Sequence, residues 1–398
     1  MPYRISIVRN ARERANMQYD IVVIGSGSVG SFAGYYAAKS GKKICYIDKF
    51  PPPHDQASYH GDTRIFRIAY GEGARYIPLL QRAYTLWGEF ERCVGERLFE
   101  RCGVLNIGDP NSEFMRNVAK SSHDFALNVE NLTPAQMQSR YNLTLPGHFV
   151  GILERDTGFV YSDRSVECAI KGAQECGADL LVGDITAITK REGGYHISLA
   201  PLDSTHTPES TCEITAKSIL LSAGSFASEV LEACAFALPT IPVSPKRKML
   251  NWFSTSGYKL GEGMPAFIME FDGDHFYGFP DFGGGVKIGL NVFGQEIAGR
   301  GGVGEFGDDQ SDTSEIDTHI RTFMPGLHSL TRGAVCTYAM TPDEGFIIEF
   351  IDDGFLYLGG LSHGFKFAPA LGELAHNALQ TRKLDSAIKE YFSLARFG

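Results

Sequence analysis

The sequence contains no apolar run approaching the ~20 residues that a membrane-spanning helix needs, so a membrane-embedded chain is not expected. It also lacks a basic stripe. Its 37 lysines and arginines are scattered among 47 acidic residues, and the net charge of −10 argues against nucleic acid as a partner. Among eight cysteines (45, 93, 102, 168, 176, 212, 234, 336) there is no CxxC pair and no Cys/His grouping at zinc spacing, and no secretory apolar segment precedes them. Neither a disulfide framework nor a metal site is expected, and the thiols read as reduced and cytoplasmic. Residues 1–18 carry Arg4, Arg9, Arg12 and Arg14 against Glu13 alone, but they lack the serine richness of a targeting peptide. They read as an extension, with Met17 as an alternative start. A chain of 398 residues, 43% hydrophobic, can bury the cores of two domains, and a small-molecule enzyme is the natural class.

The densest signal lies near the N-terminus. Tyr19 to Ile24 reads as a short buried strand, Gly25-Ser26-Gly27-Ser28-Val29-Gly30 as a tight glycine turn, and Ser31 to Ser40 as a helix rich in small residues. Gly25 permits the turn, Gly27 lets backbone approach a pyrophosphate, and Gly30 lets helix and strand pack closely; Gly34 and Gly41 continue the small-residue spacing. Phosphate would sit on the helix N-terminus. A second strand, Lys43 to Ile47, ends at Asp48, whose carboxylate is placed to accept hydrogen bonds from ribose hydroxyls. The unit predicts a dinucleotide site without deciding between NAD and FAD.

Further along, Thr133 stands as a helix N-cap before Pro134, within a stretch from Cys93 to Val150 that reads as helices and exposed loops. Arg164 to Cys176 reads as an amphipathic helix, and Asp179 to Val182, Asp184 to Lys190 and Ser218 to Leu221 as strands. From Pro242 to Ile288 apolar and polar residues alternate as in an antiparallel sheet. Gly294 to Asp312 is read as a surface excursion, followed by a helix from Thr313 or Ser314 toward Met324, and another helix starts at Pro369.

Three motifs follow the glycine turn in order: Ser58-Tyr59-His60-Gly61-Asp62-Thr63-Arg64-Ile65-Phe66-Arg67, then Arg332-Gly333-Ala334-Val335-Cys336-Thr337-Tyr338, then His363-Gly364-Phe365-Lys366-Phe367. From about Tyr19 to the C-terminus the chain resembles the monomeric sarcosine oxidase and N-methyltryptophan oxidase group of amine-oxidising flavoproteins. The turn and Ala33-Gly34-Tyr35-Tyr36 look more like the second; Phe282-Gly283-Gly284 and Phe293-Gly294-Gln295 look more like the first.

The resemblance implies an α/β, two-domain flavoprotein. A Rossmann-like FAD-binding domain would take residues 19–92, 155–236 and 325–392, and an antiparallel-sheet substrate domain 93–154 and 237–324. It implies FAD attached covalently through Cys336, although on composition alone a cysteine in a Val-Cys-Thr-Tyr strand is a small buried hydrophobe. Gly364, Phe365 and Lys366 would also contact the cofactor, with a helix N-terminus behind them favouring negative charge on the flavin. Arg67 and Lys366 would hold a substrate carboxylate, a planar fork beside a point charge. Arg64 would lie against the flavin ring. Lys287, in Gly285-Val286-Lys287-Ile288-Gly289, would supply a fixed positive charge for oxygen, although a strand lysine ordinarily faces solvent. Tyr277 would line the substrate cavity or serve as an aromatic core residue. His60 reads equally as catalytic or as a hydrogen-bonded loop histidine. Asn291 departs from the histidine that sarcosine oxidase carries four residues after the lysine.

The implied activity is oxidation of secondary amino acids, sarcosine and bulkier N-methyl amino acids, by O2 in a cytoplasmic monomer, giving amino acid, formaldehyde and hydrogen peroxide. Alternatives are cyclic imino acids such as pipecolate or proline, fructosyl amino acids, a dehydrogenase using an electron carrier, or a flavoprotein without turnover on simple amines.

Overall fold

A computed structural model describes residues 5–6, 17–70, 73–200, 212–271, 273–290, 294–309, 312 and 320–398. Among them one eight-stranded sheet is organised around Gln18–Ile24, a nearly continuous buried apolar strand flanked in parallel by Ile44–Asp48 and Cys212–Leu221. Strands covered on both faces read as unbroken apolar runs, which is why this part was legible. Asp179–Val182 extends it in parallel, Asp184–Arg191 and Gly194–Ala200 add an antiparallel edge, and Phe355–Gly359 pairs in parallel with Cys212–Leu221.

The helix after the turn spans Ser28–Lys39, three residues earlier than the reading from Ser31, because the glycine turn runs directly into it. Gly25 needs its positive φ of 90°. A Cβ on Gly30 would meet the Gly25 carbonyl at 1.9 Å, and one on Gly372, in the Ala368–Thr381 helix, would meet the Phe32 Cβ at 2.6 Å. The Ala368–Thr381 helix therefore lies directly on the helix that follows the glycine turn. Phe32, Leu80, Trp87, Val166 and Leu371 fill the layer between these helices and the sheet, each burial worth about 1.5–3 kcal/mol.

The second sheet has nine strands, and the alternating segment from Pro242 supplies Ser244–Thr255, Ala266–Phe271, Asp274–Phe279 and Val286–Leu290. Two expectations change here, and a third gains an anchor. Leu327–Met340, expected with the nucleotide-binding part, pairs with Ser244–Thr255 from Ser244 opposite Met340 to Thr255 opposite Leu327. The stretch expected as helices and loops contains Val104–Gly108, a wholly buried strand between Ala266–Phe271 and Val150–Glu154. The excursion from Gly294 is pinned by buried Arg247, which donates to the Val303 and Glu305 carbonyls and pairs with buried Asp312 at 2.8 Å. Thr133 caps Pro134–Tyr141 through a reciprocal bond pattern with Gln136. The helix expected from Thr313 falls largely outside the described residues.

A three-stranded sheet of Thr63–Phe66, Phe99–Glu100 and Gly158–Tyr161 holds the arginine segment. Among the described residues the cysteines are free thiols, and no helix is long and apolar enough to cross a membrane.

Candidate active site

The Ser28–Lys39 helix begins at Gly27 with no side-chain cap and no acidic residue in its first turn. Its leading amides thus face a cavity rather than a protein acceptor, the arrangement that receives a phosphate. Asp48 sits beside them. Its carboxylate accepts from the Ser26 backbone N–H at 2.8 Å, from Ser26 Oγ at 2.7 Å, and contacts His54 Nε2 at 3.2 Å. Burial pushes its pKa up, but the bonds from His54 and Ser26 outweigh burial and hold it below the usual carboxylate value. Asp48 therefore stays an ionised acceptor.

This first cavity, about 120 Å³ and bordered by Gly25, Gly27, Asp48, Gly224 and Thr337, shares Ser28, Ser58 and Tyr59 with a second of about 560 Å³. The second brings together Arg64, Arg67, Tyr277, Phe365 and Lys366, five residues singled out in the sequence. Arg67 is buried, donates to Asn106 Oδ1 at 3.1 Å, and lies 5.3 and 5.2 Å from the rings of Tyr70 and Phe114. Lys366 is buried too; its Nζ donates to the His363 carbonyl at 2.8 Å and to the Tyr70 hydroxyl at 3.3 Å. Tyr70 thus stands between the two cations, and Trp87 Nε1 clamps the Lys366 carbonyl at 2.9 Å.

The Arg67 loop is fixed from below by Glu154, which accepts from the Ile68 and Ala69 amides at 3.0 Å. Burial pushes the Glu154 carboxyl up to about 7, against the lowering effect of those amides and of Arg67. The folded protein then holds this proton more tightly than the unfolded chain, so stability is lost as pH rises from about 4.5 through about 7, by on the order of 3 kcal/mol. Relative to Glu154→Gln, which keeps an acceptor but cannot ionise, the wild type should lose stability across that window. Denaturant midpoints that run parallel from pH 5 to 8 would contradict it.

Lys287 does not face solvent: it is 1% exposed. Its Nζ donates to the Gly61 carbonyl, the Thr63 carbonyl at 2.9 Å and Thr63 Oγ1 at 3.3 Å. Burial, then the Arg64 guanidinium, depress its pKa well below the ordinary lysine value, while Asp62 and Asp163 oppose this. Arg64 itself is wrapped by its own loop, donating to the carbonyls of Ser58, His60 and Thr63 at 2.6–2.7 Å. His60 enters this arrangement through that carbonyl, and its imidazole borders neither cavity; burial lowers its pKa.

Cys336 is buried in a cluster with Leu250, Trp252 and Tyr338. Burial raises its thiol pKa, and the charges of Arg64, Lys287 and Lys248 pull it down. Its strand neighbours Thr337 and Tyr338 border the first and second cavity respectively, while Cys336 itself borders neither. Gly364 caps the turn Phe365–Phe367 that places Lys366. Asn291 lies outside the described residues.

The profile of the family described as "FAD dependent oxidoreductase" matches residues 20–377. The chain belongs to that family. This FAD dependent oxidoreductase is 39% identical over 388 residues to the N-methyl-L-tryptophan oxidases of Yersinia pestis (strain Pestoides F) and Yersinia pseudotuberculosis (serotype O:1b), spanning 96% of this chain and 100% of each relative. Among solved structures it is similar to NikD, described as an unusual amino acid oxidase essential for nikkomycin biosynthesis (TM-score 0.81, 18% identity, 95% of this chain and 98% of that one). It is also similar to the L-proline dehydrogenase of P. horikoshii (TM-score 0.79, 20% identity, 95% and 97%). At those identities the likeness shows the fold, a two-domain flavoenzyme with mixed and antiparallel sheets.

The cavities of the oxidoreductase fit FAD on their own terms. Uncapped amides at Gly27, an ionised Asp48 beyond them and a passage past Ser58 to the larger cavity match pyrophosphate, ribose and isoalloxazine in order.

Sequence reasoning missed Lys248, Tyr338, Glu270 and His275, all bordering the second cavity. Lys248 is directly opposite Cys336 across two antiparallel strands, and its Nζ is 5.3 Å from the Tyr338 ring. The strand alternation could have put Lys246 and Lys248 on one face, but not told that the face meets a cavity instead of water.

Proposed function

We propose that this oxidoreductase oxidises secondary amino acids, N-methyl amino acids foremost, with O2 as the acceptor, releasing amino acid, formaldehyde and hydrogen peroxide. The observation that carries the reading is the pairing of buried Arg67 and Lys366 on the wall of one cavity, with Tyr277 on it and Lys287 sharing the Thr63 carbonyl with Arg64. It is supported by the 39% identity to enzymes named N-methyl-L-tryptophan oxidase.

Arg67 and Lys366 hold the substrate carboxylate, and Tyr70, touching Lys366 through its hydroxyl and Arg67 through its ring, keeps the two cations at a fixed separation. Tyr277, whose phenol burial keeps neutral, walls the cavity and approaches the Tyr338 hydroxyl at 3.5 Å. No base of high strength is required, because the amine reacts in its neutral form. FAD bound there would supply the redox chemistry, two-electron oxidation of the amine and reduction of O2 to peroxide. Lys287, held by two carbonyls and a hydroxyl, is the fixed amine assigned to the oxygen step, acting through its field on the negative charge that develops there. Water then hydrolyses the substrate imine after release. Cys336 serves as the covalent anchor of the flavin; the protein acts as a cytoplasmic monomer.

A denaturing precipitation, followed by a peroxide assay with sarcosine, N-methyltryptophan, pipecolate and a fructosyl amino acid, tests this. Yellow colour should stay with the pellet, be released in Cys336→Ser, and accompany peroxide from an N-methyl amino acid. Free flavin from the wild type would defeat the anchor; peroxide from pipecolate alone would move the substrate to cyclic imino acids.

A further inference from the structure

Glu270 is a carboxylate of the large cavity for which the proposed reaction has no use. The carboxylate borders the cavity, and among the described residues its side chain makes no hydrogen bond or ion pair; Oε2 is buried without a donor. On its inner side it faces bare backbone, since a Cβ on Gly108 would come within 3.2 Å of Oε2. A carboxylate left this way inside a partly apolar pocket is costly unless something entering the pocket brings a donor.

The register tells how far that something must reach. Ile268 lies opposite Tyr277, and Glu270 lies opposite His275, two residues along the same strand face and about 6.6 Å further. Phe114 spans the gap. Its ring is 5.2 Å from the Arg67 guanidinium and 4.9 Å, edge-on, from the His275 ring, so Arg67 and His275 stand within about 10 Å of each other. A substrate carboxylate at Arg67 and a side chain running along Phe114 and Ile268 therefore ends at Glu270. A methyl-sized side chain stops short of it.

We propose that Glu270 selects the substrate side chain: it accepts a hydrogen bond from an N–H at the far end of an extended, largely apolar group such as an indole. This rests on the oxidase reading above, and deepens it from secondary amino acids in general to those with a distal N–H donor.

The test uses the flavin-loaded enzyme with N-methyltryptophan and its analogue methylated on the indole nitrogen, which has no donor. For the wild type kcat/KM should favour the N–H form by about tenfold or more, the worth of one hydrogen bond to a charged acceptor. In Glu270→Leu the ratio should fall to about one, and Glu270→Gln should restore part of it. General damage to the site would lower both substrates and leave the ratio unchanged, so an unchanged ratio in Glu270→Leu overturns the proposal, as does a wild type without preference. If neither compound is oxidised, the reaction reading fails by itself. The selector is then read from binding of indole-3-acetate against 1-methylindole-3-acetate, followed by the flavin spectrum. The same tenfold ratio, lost in Glu270→Leu, supports it, and equal affinities overturn it.

Discussion

Lys287→Met is expected to slow reaction of the reduced enzyme with oxygen by about a hundredfold or more, the usual loss when one preorganised donor to a developing oxyanion is removed. Reduction by substrate under anaerobic conditions should change far less. The separation follows from geometry: Lys287 is held by Gly61 and Thr63 and borders neither cavity, whereas Arg67 and Lys366 border the one proposed to take substrate. Methionine keeps the volume but leaves those carbonyls without their donor, at about 1–3 kcal/mol for each group stranded. A melting temperature recorded beside the stopped-flow traces will separate lost stability from lost oxygen chemistry. Unchanged reoxidation would remove Lys287 from the reaction and favour a dehydrogenase with a carrier acceptor.

Arg67→Leu is expected to lower kcat/KM for N-methyl amino acids by about 10² to 10³, because truncating one side of a buried charge pair costs about 2–5 kcal/mol. The loss should fall mainly on KM, since the carboxylate is bound alike before and during reaction. N-methyltryptamine, which has the amine but no carboxylate, provides the control. Its turnover by the wild type should be poor, and the variant should lose little further. An equal proportional loss on both compounds would mean that Arg67 acts by holding Tyr70 and Phe114, whose rings it covers, and not by meeting the substrate.

How much was visible beforehand differs by region. The turn at Gly25, the strand into it and Asp48 could be read because local sterics and a wholly apolar strand leave few other options. Thr133 could be read because a cap is satisfied within four residues. Val104–Gly108 could not: five residues between polar stretches give no periodicity, and it is a strand only because Ala266–Phe271 and Val150–Glu154 close on it from distant parts of the chain. The placement of Leu327–Met340 likewise rests on its partner, Ser244–Thr255, some eighty residues earlier. Arg64, Arg67 and Lys366 were singled out through a family likeness and border the large cavity, while Lys248 and Glu270, which border it too, were not singled out at all. Alternation reveals which residues share a face, and only the folded chain reveals that the face borders a cavity.

The contact of Ala368–Thr381 on Ser28–Lys39, with Phe355–Gly359 closing the sheet beside Cys212–Leu221, has a consequence for biosynthesis. A ribosome delivers the glycine turn among the first residues, yet the layer that backs it emerges more than three hundred residues later. Until then the nascent chain carries an unshielded parallel edge and a bare helix face, the situation that makes long-range topologies slow and prone to association. Productive flavin loading is thus a late event, following synthesis at least as far as Ala368, and a chain cut short before that residue would keep its glycine turn and lack the surface that holds it in shape.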